Sequence, residues 1–358
     1  MARVAFYAPM KSPDSPVPSG DREMARNLMK AIGAQGDKVD LVSTLRIYDK
    51  TGDTGIQQAL HAAARVEVER VLDTMPAETA LWVTYHNYYK APDLLGPQVC
   101  KARGIPYVQL ESTRASSRLN GPWADFASAA HRACDAARVI YYHTANDLIT
   151  LERDRFGDQI LAELPPFLPI ADLPAVSERN GPMLAVGMMR HGDKLTSYRV
   201  LADALAQLDG EWALNIVGDG PARPEVEALM ARFNGKVRIL GLLDRAGVQT
   251  AYLKSSFLVW PGVNEAYGMI YLEAQACGLP VVAQDRPGVC DVLAPSDHPT
   301  VEAGAQGLAD RMQLLLNDSV LRRALGENAR AHVAARNLMP EATRRFWQHA
   351  RPLLGVPT

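Results

Sequence analysis

Short apolar runs separated by amphipathic helical stretches govern what this chain can fold into. Val4–Tyr7, Val39–Val42, Ala80–Tyr85, Tyr107–Leu110, Val139–Tyr142 and Ile160–Leu164 have the length of buried strands rather than helices. Between the first two runs, Met24, Leu28 and Ile32 fall at i, i+4 and i+8, which makes one apolar face of a helix over 21–32. Strand and helix alternating in this way build βαβ units, and so a parallel sheet covered by helices on both faces.

The alternation stops at Leu164-Pro165-Pro166-Phe167-Leu168-Pro169 and resumes at Met183, which predicts a linker. A second series follows, with Met183–Val186, Ala213–Val217, Val237–Leu240, Phe257–Trp260 and Pro280–Ala283 as strands. With 358 residues, 47% of them apolar, the chain can fill two cores. From about Ala303 onward it reads as helical, with Pro340 and Pro352 setting the last helix apart. The expected fold class is α/β, with two doubly wound Rossmann-like domains facing each other across a cleft. The first spans 1–170 and the second 171–340, and a helical tail over 341–358 can cross back to the first.

Charge and cysteines narrow the function. Thirty-eight basic against 40 acidic residues leave −2, which gives no field for nucleic acid. Cys100, Cys134, Cys277 and Cys290 lie far apart without a Cys-x-x-Cys pair, as reduced structural thiols do. No apolar run approaches a membrane span, and the apolar start Arg3–Ala8 is too short for a signal peptide, so a cytoplasmic location is expected. Arg344, Arg345 and Arg351 in the tail suggest weak peripheral contact with the inner membrane surface. A dinucleotide-dependent dehydrogenase is disfavoured. The first strand leads into a 12-residue loop with four prolines, Pro9 to Gly20, instead of Gly-x-Gly-x-x-Gly, and Gly218-Asp219-Gly220 lacks the third glycine.

The most informative stretch runs from Phe257 to Val282: a strand, a Pro/Gly loop, a helix stopped at Gly278-Leu279-Pro280, and another strand. Glu265 lies on the loop at the helix start, where the free amides of 266–268 can face an anion or a sugar oxygen, and Glu273 is placed two turns in. In the segment Gly187-Met188-Met189-Arg190-His191-Gly192-Asp193-Lys194, two cations on one glycine loop ahead of a helix suit phosphate oxygens. His86 follows the strand Ala80–Tyr85 and is the best acid/base candidate of the first half, near the aromatic residues Tyr85, Tyr88 and Tyr89.

Glu-x7-Glu in the form Glu265-Ala-Tyr-Gly…Leu-Glu273-Ala-x-Ala-Cys-Gly-Leu-Pro-Val-Val resembles the donor-binding signature of retaining GT-B glycosyltransferases of the family 4 type. Val217-Gly218-Asp219-Gly220-Pro221 and the strand ending at Gly241 are similar to further family features. The likeness is specific over about 183–293, and in the first half it is one of fold. It implies a transfer from a nucleotide-diphospho-sugar to a saccharide, lipid-linked or small-molecule acceptor. With Arg190 and Lys194 present and no His/Asp cluster at ligand spacing, no metal is expected, and no other cofactor.

By that resemblance, Glu273 takes the ribose hydroxyls, and Glu265, with the amides of Tyr267 and Gly268, takes the transferred sugar. Gly187, Arg190 and Lys194 take the diphosphate, Gly241 and Leu242 read the base, and Gly20 stands for the family's glycine-rich loop. Two departures stand out. Met188 occupies the family's usual arginine position, and Glu111-Ser112-Thr113-Arg114 replaces a histidine after the fourth strand, so Glu111 or Arg114 is an alternative to His86. A GT-B nucleotide-sugar epimerase, a sugar phosphorylase and a non-catalytic nucleotide-sugar binder are the competing readings.

Overall fold

Every apolar run becomes a strand in the structure, a computed structural model that describes residues 1–17 and 19–355. Pro18, part of the expected Pro-rich loop, and 356–358, the end of the expected tail, lie outside the described residues. The chain divides into two units, Met1–Pro165 together with the segment from Met339, and Pro166–Leu338.

Unit 1 alternates β1 (Arg3–Tyr7), α1 (Gly20–Gly33), β2 (Lys38–Leu41), α2 (Thr54–Thr74), β3 (Thr79–Asn87), α3 (Gly96–Arg103), β4 (Tyr107–Ser112), α4 (Ala124–Ala136), β5 (Val139–Tyr142), α5 (Ala145–Arg153) and β6 (Ile160–Glu163). The strands pair in parallel in the order β2-β1-β3-β4-β5-β6. Val4, Phe6, Trp82, Val83, Val108 and Ile140 are fully buried, as strands covered on both faces require. The chain reverses direction across the sheet between β1 and β3, so a crevice opens at their carboxyl ends.

Unit 2 alternates β7 (Met183–Val186), α6 (Asp193–Leu205), β8 (Leu214–Val217), α7 (Arg223–Met230), β9 (Val237–Gly241), α8 (Arg245–Leu253), β10 (Leu258–Val259), α9 (Met269–Ala276) and β11 (Val281–Val282), then adds α10 (Gly304–Asn317) and α11 (Ser319–Arg336). Its parallel order is β11-β10-β7-β8-β9, which places the switch point between β7 and β10. Helix α9 begins later than the sequence suggests. Gly268 has φ +78°, so regular helix starts at Met269 and Glu273 lies about one turn in rather than two.

The last helix, α12 (Met339–Ala350), packs on unit 1. Phe346 stacks on Tyr141, Trp347 Nε1 donates to Ile32 O at 3.0 Å, and Thr343 Oγ1 donates to Ala31 O at 2.9 Å. The three tail arginines are engaged here too: Arg344 with Glu341, Arg345 with Glu163 and Glu341, and Arg351 with Asp37. Each of the three is thus ion-paired within unit 1.

Candidate functional site

Beside the switch point of unit 2, the ends of β7, β8 and β9 are drawn together by glycine. A Cβ on Gly218 (φ +147°) would lie 1.9 Å from Gly187 O, and one on Gly220 (φ +152°) would lie 2.3 Å from Met189 O. Only glycine permits backbone to approach backbone this closely. The approach is held by Gly187 N to Val217 O, Met189 N to Asp219 O and Gly218 N to Gly241 O, at 3.0, 2.9 and 2.9 Å. Gly187 and Gly241 are thus parts of one floor. Leu242, directly after it, is 81% exposed and leads into α8.

Above this floor the structure brings Lys194 and Glu265 together. Lys194 Nζ pairs with Glu265 Oε1, and the buried Trp260 donates its Nε1–H to the same oxygen at 3.0 Å. Trp260 is itself wedged into place. Its ring lies 2.8 Å from where a Cβ on Gly187 would stand, and Tyr198 meets it edge-on while donating its hydroxyl to Gly187 O at 2.7 Å. The loop carrying Glu265 is fixed at both ends. Val263 N donates to Ser197 Oγ at 3.1 Å, and Tyr271, packed under Gly262 and Gly268, donates to Trp260 O at 3.2 Å. Trp260 thereby joins the candidate site, and the sequence does not single it out because its contact with the following loop is one that periodicity does not carry.

Glu273 stands apart from that pair, on α9. Tyr252 of α8 donates to its Oε2 at 2.9 Å, and Oε1 makes no hydrogen bond among the described residues. Burial pushes the Glu273 carboxyl above the usual range, against the Tyr252 hydrogen bond and the positive charge of Arg245. The sequence does not single out Tyr252 either. Tyr267 and Gly268 lie between the two glutamates along the chain, half-buried. Arg190 is exposed on the β7–α6 loop, and its guanidinium meets none of the other candidates, unlike Lys194.

In unit 1, Gly20 opens α1 with open space around it, and Ser19 caps the helix by accepting from Arg22 N at 3.2 Å. His86 ends up beside this helix start. Its Nδ1 lies 3.9 Å from Asp21 Oδ1 and is buried without a hydrogen-bond partner among the described residues. The register from Tyr85↔Leu110 to Asn87↔Ser112 brackets His86 and Glu111, and both hold left-handed backbone, at φ +71° and +52°. Such strain on residues other than glycine persists only where the surroundings enforce it, often at functional sites.

Glu111 turns toward His143, another residue missed from sequence. The Nε2 of His143 lies 3.6 Å from Glu111 Oε2, and its Nδ1 is 2.5 Å from Leu164 O. Arg114 is buried and bound to Asp135 at 2.6 Å, which makes it part of the interior.

Residues 182–318 match the family model described as Glycosyl transferases group 1. Curated relatives include the GDP-mannose-dependent monoacylated alpha-(1-6)-phosphatidylinositol monomannoside mannosyltransferase of Corynebacterium glutamicum, 32% identical over 34% of each chain. Another is the D-inositol 3-phosphate glycosyltransferase of Jonesia denitrificans, 29% identical over 43% of this chain and 42% of the relative. The chain thus spans less than half the length of the curated relatives it matches.

Solved structures match nearly the whole chain, two of them as follows. Sucrose-phosphate synthase from Thermosynechococcus elongatus has a TM-score of 0.69 at 20% identity, and Anabaena HepE in complex with UDP has 0.71 at 15%, each covering 99% of this chain and 100% of its own. The likeness establishes the fold as GT-B.

Proposed function

We propose that this chain, which carries a Glycosyl transferases group 1 domain over 182–318, is a retaining, metal-independent glycosyltransferase using a nucleotide-diphospho-sugar. Unit 2 holds the donor and unit 1 the acceptor. The observation that carries this reading is the division of labour between the two glutamates. Glu273 keeps one carboxylate oxygen available while Tyr252 holds the other, which suits a vicinal diol such as a ribose. Glu265 is fixed beside Lys194 and Trp260, which suits a sugar hydroxyl next to a phosphate.

In this account Lys194 and Arg190 stabilise the departing diphosphate, with Gly187 and Gly241 letting its oxygens come close to backbone. Gly241 and Leu242 border the base, and the amides of Tyr267 and Gly268 assist Glu265. The acceptor attacks from the face the diphosphate leaves. The protein's contribution is positioning and charge stabilisation rather than a covalent intermediate. His86, held in left-handed backbone beside Gly20 and Asp21, is the residue assigned to the transfer in unit 1.

The test is a panel of nucleotide-sugars scored first by thermal shift and then by nucleoside diphosphate release with and without candidate acceptors. Release coupled to a new glycoside is expected. Isomerised sugar would instead indicate an epimerase and sugar phosphate a phosphorylase, while saturable binding with no release would indicate a binding protein.

A further inference from the structure

The carboxyl edge of unit 1 carries a second constellation that none of the roles above uses. Lys90 Nζ lies 5.5 Å from the ring centre of Tyr89 and 5.7 Å from that of Trp123, while Arg118 Cζ lies 5.3 and 5.4 Å from the same two rings. Two cations therefore converge on one aromatic corner, and neither side chain has an ion pair or hydrogen bond among the described residues. Like charges gathered on two rings repel each other, and the rings alone offset this only partly. Trp123 Nε1 is buried and has no acceptor among the described residues. Two cationic groups thus share one corner, and no carboxylate among the described residues pairs with either.

This corner is built rather than incidental. The buried Gln57 donates one amide to Asp49 Oδ2 at 2.7 Å and to Pro122 O at 2.9 Å, which pins the residue ahead of Trp123. Gly52 (φ +77°) packs against Pro122 and the Trp123 ring so closely that a Cβ would lie 2.5 Å from Pro122 Cβ. The loop bearing Tyr89 and Lys90 is fixed by buried Asp93, which takes hydrogen bonds from Thr84, Tyr107 and the amides of Leu95 and Gly96. Carboxylates on these segments are committed elsewhere. Asp49 is filled by Thr51, Gly52 and Gln57, and Asp125 is 2.6 Å from His61. A row of ring contacts, Trp123 to Tyr89, Tyr89 to Tyr88 and Tyr88 to His86, links the corner to the residue assigned to transfer.

We infer that this corner is an anion subsite of the acceptor site: the acceptor carries an oxyanion, phosphate or carboxylate, held by Lys90 and Arg118, with its ring lying on Tyr89 and Trp123. The placing of an acceptor here rests on the glycosyltransferase reading; the anion site itself does not. Arg118 supplies a planar fork and Lys90 a point charge, a pairing suited to such an oxyanion.

The full chain is titrated calorimetrically with glucose 6-phosphate, glucuronate and glucose, and separately with nucleoside diphosphates. At least one charged sugar is expected to bind tenfold or more tightly than glucose, and less tightly as ionic strength rises. Lys90→Gln and Arg118→Gln should each weaken that binding about tenfold and together about a hundredfold, with Arg118→Lys partly restoring it and the melting temperature unchanged. The sugar that binds, phosphate or carboxylate, identifies the anion. Glucose binding as well as both charged sugars, no saturation by either up to about 10 mM, or affinity indifferent to the double substitution would overturn the inference. Anion binding without any nucleotide binding would uphold the subsite and remove the glycosyltransferase reading; the reverse outcome would remove the subsite alone.

Discussion

Trp260→Phe tests the proposed link between the fold of unit 2 and donor recognition. The indole is fully buried and gives its only N–H to Glu265 Oε1 at 3.0 Å. Phenylalanine removes that donor and leaves a void beside Gly187 and Tyr198. The void costs about 1–3 kcal/mol of stability, and the lost hydrogen bond to a carboxylate about 1.5–3 kcal/mol. Lys194 still pairs with Glu265, but the carboxylate loses one of the two donors that fix its direction.

If Glu265 grips the transferred sugar, kcat/KM for the nucleotide-sugar should fall roughly 10- to 150-fold. The Kd of the nucleoside diphosphate, which lacks that sugar, should stay within about twofold. Coupled product-release kinetics and calorimetry on the same folded preparation read the two quantities. Equal losses for sugar nucleotide and nucleoside diphosphate would refute the reasoning, because the substitution would then act through general loosening of unit 2.

Gly218→Ala should destabilise unit 2 by about 3–5 kcal/mol and lower its melting by roughly 10 °C, since the new methyl meets the Gly187 carbonyl and no rotamer relieves it. A melting temperature within a degree or two of wild type would show that the floor is not packed as described. His86→Ala should lower kcat about a hundredfold with nucleotide affinity intact, and wild-type turnover would remove His86 from the chemistry. Glu341 is held down to about 2 by its hydrogen bond to Arg344, against partial burial, with Arg345 adding to the effect. A carboxyl lowered on folding stabilises above its unfolded value, about 4.3, and that contribution is lost as pH falls toward 2. Trp347 fluorescence should therefore report loosening of α12 between about pH 4 and 2, and an unshifted profile in Glu341→Gln would rule out this carboxylate as the cause.

The strands were legible because each is a short apolar run between turn residues, and the parallel order follows once helices intervene. The Glu265/Glu273 spacing, the cation loop and His86 at a strand end were legible for the same local reason. What escaped depends on contacts between distant segments. Trp260 and Tyr252 read as core aromatics until the structure shows their polar ends on the two glutamates. His143 reads as a residue after a strand until Glu111, in left-handed backbone, turns toward it. Helix α9 starts later than the sequence suggests because one glycine's φ, invisible in composition, delays it by a few residues.

Calorimetry of Glu273→Ala with the nucleoside diphosphate that binds the wild-type chain tests the central claim most directly. One site should saturate in the wild type, and the substitution should raise Kd by roughly 10- to 150-fold, the loss of hydrogen bonds to a charged acceptor. An unchanged Kd in a folded variant would contradict the assignment of unit 2 as a nucleotide-sugar site built on Glu273.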